Sequence, residues 1–230
     1  MGSVPLAGTK VELKELRNRH YGQMVWVVGS DASVNFFPDD FWSHRAVIGV
    51  NAVPRHIPAR YCVTKADGAG GWVQAQANDL PDVLHVVSKH PNGDAWRGDS
   101  GVSGPNVVTF DHGENKCERF DAARDIPDEP NSLLVSWSTL GSAMHFSAYL
   151  GARTVFMVGV SGGSFGDATN LPDYNPNGAG PIEGMSKQTQ AIADRLQQMY
   201  GTEFVTVLPW ANLRCGGTKF RSDYGRLNDA

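Results

Sequence analysis

Met24 to Val28 reads Met-Val-Trp-Val-Val and is apolar at every position. A strand with one wet face alternates between apolar and polar residues. A run without alternation predicts a strand covered on both sides. Val155 to Val160 repeats the pattern, and Ala46 to Val50, Tyr61 to Thr64, Val83 to Ser88 and Phe204 to Leu208 read as further strands. Helical spacing fills much of the rest. A short charged helix is expected over Val11 to Arg19, another opens after Gly29, and a third covers Trp72 to Asn78. Ser138 to Leu150 carries Met144, Ala148 and Leu150 at apolar positions, with Gly151 as its C-cap. In the last helix Ser186 is the expected cap, Ile192, Leu196, Met199 and Tyr200 share a face, and Gly201 ends it. Strands alternating with helices imply a mostly parallel sheet with helices on both faces.

The 230 residues suit one α/β domain, so the expectation is a single-domain, Rossmann-like sheet over 1–230. Residues 1–10 read as a loose leader. From about 90 to 130, Gly, Pro, Asn and Asp accumulate, with too few apolar residues for a separate core, so this stretch reads as an inserted loop or hairpin. Residues 161–184 are glycine-rich and aperiodic, the mark of a functional loop.

A net charge of -4 and a pI near 5.9 give no basic footprint for a nucleic-acid backbone. Arg214, Lys219, Arg221 and Arg226 cluster near the C-terminus and read as a solvated tail. Cys62, Cys117 and Cys215 are far apart and odd in number, which suggests neither a zinc site nor a disulfide framework. No stretch resembles a signal peptide or a membrane span, so a cytoplasmic setting is the expectation.

In open parallel sheets, ligands bind beyond the carboxyl ends of the strands. The residues just after each predicted strand are therefore the candidates: Gly29 to Ser33, Asn51, Lys65 to Gly68, Ser88 to His90, and Ser161 to Phe165, joined by Ser138 to Gly141 at a helix start. They are rich in Gly, Ser, Thr and Asn. Small hydroxyls, amides and free backbone N–H groups hold phosphate and ribose well, and helix N-termini favour anions. The turn after the first strand can be a plain capped connection or a phosphate cradle. No GxxxxGK[ST], GxGxxG or DxD motif occurs. Of seven histidines, His145 sits among apolar neighbours and reads as a core residue, whereas His90 and His112 fall on loops. Asp67 directly follows the third strand, in a turn reading Lys-Ala-Asp-Gly.

Four segments occur in a telling order: "VVGSDAS", "VIGVNAV", "LVSWSTLGSAMHFSAYLGARTVFMVGVSGG" and "SKQTQAIADRLQQMYGTEFVTVLP". Their order and spacing resemble the bacterial sialyltransferases that use CMP-sialic acid. They also resemble the MptE-like group of glycosyltransferase-like proteins and 6-hydroxymethylpterin diphosphokinases. The resemblance implies that Gly29, Ser30 and Ser33 contact nucleotide phosphate, with Asp31 in the same turn, and that Asn51 contacts base or ribose. It implies that Ser138, Thr139 and Gly141 complete the pocket, and that Gly159 and Ser161 close it. The departures are chemical: Asp31-Ala32 stands where Gly-Pro is usual, Ser161 replaces Asp, and Met185 falls where the sialyltransferases carry a catalytic His.

The function so implied is a metal-independent glycosyltransferase with a nucleotide-sugar donor of the CMP type and a hydroxyl acceptor on a sugar, protein, lipid or modified DNA base. Tyr174 is the expected phosphate partner from the 161–184 loop, and Asp67 and His90 are the candidate general bases. No cofactor is required, and a homo-oligomer is expected. The alternatives are a Mg²⁺-dependent diphosphokinase of the pterin type, with Asp31 and Asp67 as metal carboxylates, and a non-catalytic nucleotide-binding protein.

Overall fold

The computed structural model describes residues 11–65, 71–89, 100–112, 126–135, 138–160 and 185–207. Among these residues are seven strands: β1 (Met24–Val28), β2 (Val47–Val50), β3 (Tyr61–Thr64), β4 (Leu84–Ser88), β5 (Val107–Phe110), β6 (Thr154–Val158) and β7 (Glu203–Thr206). They form one sheet in the order β5-β4-β3-β2-β1-β6-β7, and every pairing is parallel. With α1 (Gly71–Asp79), α2 (Thr139–Tyr149) and α3 (Met185–Tyr200), this is an α/β domain of the Rossmann-like kind.

Alternation along each strand sorts its side chains between two layers. Val25, Val27, Ile48, Tyr61, Val63, Val86, Val155 and Met157 face the main core, where α2 packs on β1, β2, β3 and β6 and α3 packs on α2. α2 is buried at every position, which its small and apolar residues Gly141, Ala143, Met144 and Ala148 permit. His145 lies inside this core. Its Nδ1 accepts from the Leu134 amide at 2.9 Å, so Nε2 carries the proton toward the Tyr200 hydroxyl 3.0 Å away. Burial pushes the His145 imidazole down to about 3 and the Tyr200 hydroxyl up to about 12.

On the opposite face, α1 covers β4 and β5 through Val73, Ala77, Val87 and Val107. Further along, Val28, Val34, Trp42, Val47 and Val158 form a second layer. There Trp26 stacks on Phe156 at 4.7 Å and meets the edge of Phe41 at 5.0 Å. Arg45 lies over the Phe41 ring at 3.6 Å.

The differences from expectation are local. The segment 11–19 forms only a 3-10 turn at Leu13–Leu16, whose two leucines are buried; Asn18, at φ 60, then turns the chain back. No α-helix opens after Gly29. The crossover from β1 to β2 is two 3-10 turns, Ala32–Phe36 and Asp39–Trp42, parted by Phe37 and Pro38, and its aromatic residues cover Trp26 instead. α3 starts at Met185, so Ser186 stands inside the helix. β6 ends at Val158 because Gly159, at φ 71, leaves the strand conformation. The stretch read as an insertion contributes β5, an edge strand paired with β4.

Candidate functional site

β1 lies between β2 and β6. From β1 the chain steps outward through β2, β3, β4 and β5, then returns past it to β6 and β7. The strand order therefore reverses between β1 and β6, and the crevice beyond their carboxyl ends is where an open sheet of this type takes a ligand.

At that point Gly29 and Gly159 face each other. The Gly29 amide donates to the Val158 carbonyl at 2.8 Å, and a Cβ on Gly29 would overlap the Gly159 carbonyl oxygen. A Cβ on Gly159 would lie 2.5 Å from the Gly29 carbonyl oxygen. Hydrogen bonds then close a circuit. The Asp31 amide donates to the Gly159 carbonyl at 3.2 Å, and the Gly159 amide donates to Ser33 Oγ at 2.8 Å. Asp31 Oδ1 accepts from both Ser33 Oγ (2.6 Å) and the Ser33 amide (2.9 Å). Asp31 and Ser33 are each 1% exposed, so this part of the turn points into the protein and fastens β1 to β6. Ser30 of the turn is part-exposed.

Asn51, after β2, is held in the left-handed region at φ 55, which Asn tolerates better than most residues. Its amide donates to Val63 O at 3.1 Å, and its carbonyl accepts from Gln76 Nε2 at 2.9 Å and from Cys62 Sγ at 3.2 Å. The backbone is fixed while the residue stands exposed at the crevice edge. Burial pushes the Cys62 thiol up to about 12, so it is a packed donor and not a nucleophile.

α2 runs opposite to the strands, and its N-terminus therefore reaches the same carboxyl edge. Ser138 Oγ accepts from the Leu140 amide at 3.2 Å and caps the helix, followed by Thr139 and Gly141. Gly29, Ser30, Asn51 and the Ser138–Gly141 start thus share one edge of the sheet. Asp67, His90, Ser161 and Tyr174 lie outside the described residues.

One pair was not foreseen. Ser88, the last residue of β4, bonds through Oγ to Nε2 of His112, two residues past β5. Both are buried, and the Lys89–Asp111 ion pair at 3.3 Å flanks them. The signal was the position of each at a strand end, but it required recognising Val107–Phe110 as a strand. Among the described residues, no three His, Cys, Asp or Glu side chains converge as metal ligands. Among them, too, no helix is long and apolar enough to cross a membrane.

Fold and edge together define an open, all-parallel α/β protein whose strand order reverses between β1 and β6. Comparison with protein-family models, with characterised proteins and with solved structures found no match.

Proposed function

We propose that the chain is a glycosyltransferase-like enzyme that binds a nucleotide-sugar donor of the CMP type, without a metal, in the crevice between the β1 and β2 ends and the start of α2. The observation that carries the reading is the inward turn of Asp31. A carboxylate beside the donor phosphate would repel it; here Oδ1 is spent on Ser33 and the residue is buried. Ser30 and Asn51, with the positive end of the α2 dipole beside them, are left to meet phosphate and ribose. The acceptor is a hydroxyl on a sugar, protein, lipid or modified base, and a general base must take its proton. Asp67 and His90 retain that role by position in sequence, and His112 with Ser88 adds a third candidate at the same edge. A cytoplasmic homo-oligomer goes with this reading.

Isothermal titration with CMP, CDP, UDP, GDP and ATP, each with and without Mg²⁺, tests it. The expected result is metal-independent binding of CMP or another nucleotide product of sugar transfer. Mg²⁺-dependent binding of ATP alone would replace the transferase by the diphosphokinase, and silence across the panel would remove both.

A further inference from the structure

α2 begins inside the protein. Thr139 is 9% exposed and Ser142 not at all, so the first turn of this eleven-residue helix lies away from solvent. Aligned peptide dipoles leave partial positive charge at that end, and no acidic residue in the first turn offsets it. Ser138 answers part of the need, with Oγ taking the Leu140 amide and its carbonyl taking the Gly141 amide at 3.1 Å.

Ser142 stands apart. Its Oγ is buried and makes no hydrogen bond among the described residues. Helical serines ordinarily bond back to a carbonyl one turn earlier, as Ser147 does to Met144 O at 2.6 Å. An unpaired buried hydroxyl is destabilising, and alanine would pack there without that penalty and favour the helix more. The hydroxyl faces a definite place. Ser142 is four residues before Phe146, whose ring meets Tyr61 of β3 at 5.4 Å, so it belongs to the stripe of α2 that faces the sheet. Its Cα–Cβ bond tilts toward the helix N-terminus, hence toward the carboxyl ends of β2 and β3, where Asn51 stands.

We propose that Ser142 and the buried start of α2 form an oxyanion subsite, with Ser142 Oγ donating to a phosphate group. This rests on the nucleotide reading only for the identity of the larger molecule that carries the phosphate.

The test compares wild type with Ser142→Ala, and with Ser142→Cys as a near-isosteric weaker donor. Melting is measured in phosphate-free buffer, and titrations use pyrophosphate and CMP. Ser142→Ala is expected to melt about 2–4 °C higher without ligand and to bind pyrophosphate about tenfold more weakly. Ser142→Cys should fold normally and also lose affinity. A lower or unchanged melting temperature in Ser142→Ala marks a structural or hydrated hydroxyl and overturns the subsite. Equal pyrophosphate affinity in the variants, or none in wild type, overturns it as well. Pyrophosphate binding without any nucleotide binding keeps the subsite and removes the transferase. CMP binding that ignores Ser142 does the reverse.

Discussion

Asn51 is where backbone and side chain have been given separate work. Val63, Gln76 and Cys62 fix its main chain at φ 55, and its side chain stands in the open at the crevice. Asn51→Ala should weaken nucleotide binding about tenfold, the worth of one or two hydrogen bonds, as read by calorimetry on the tightest nucleotide. Asn51→Gly should lose the same affinity while keeping the melting temperature, because glycine accepts a positive φ. Unchanged affinity in both would place the nucleotide elsewhere. At this scale the sequence was half informative. It marked Asn51, Gly29 and Ser138 by their places after a strand or before a helix. It did not show that Ser33 spends its hydroxyl on Gly159, since that bond joins residues 126 apart and no local pattern encodes it. Ser88 and His112 were hidden for a related reason: a 24-residue separation becomes contact only across a β4–β5 pairing.

At the scale of elements, the β1–β2 crossover is the unusual part. A parallel pair is ordinarily joined by an α-helix, and here two 3-10 turns and a cluster of aromatic rings do that work. Such short turns carry little stability of their own, so the Asp31–Ser33–Gly159 circuit must hold the crossover in place. Ser33→Ala deprives the buried Gly159 amide of its acceptor and Asp31 Oδ1 of a donor. The expected loss is about 2–3 kcal/mol, seen as a lower urea midpoint at unchanged m-value. A loss below about 0.5 kcal/mol would mean that the circuit is incidental. The apolar runs made β1, β2, β3, β4, β6 and β7 readable. β5 escaped because its four residues, three of them buried, lie among glycines, prolines and asparagines that read as loop.

For the whole molecule, acid is the expected weakness. Burial holds His85 down to about 4 and His145 down to about 3, against 6.5 when exposed. Among the described residues neither His85 ring nitrogen finds a well-formed hydrogen bond, and the Leu80 backbone offsets only part of the effect of burial. Burial lowers His20 as well. Below about pH 6.5 the unfolded chain takes protons that the folded one refuses, so stability should be level just above that pH and fall beneath it. Near pH 5, His85 and His145 together set a slope of about 2–3 kcal/mol per pH unit. Urea titrations at pH 7, 6 and 5 read it, His145→Gln should roughly halve it, and a flat profile would deny that these rings are buried neutral. The order of the strands has a consequence in time. β1 is made before its partner β6, which follows about 130 residues later, Met24 lying opposite Thr154. A ribosome adding about 5–20 residues per second needs about 7–26 s to cover that distance. Through that interval Trp26 and its neighbours on the central strand lack the β6 side of their pairing, and a nascent-chain chaperone would find its most exposed target there.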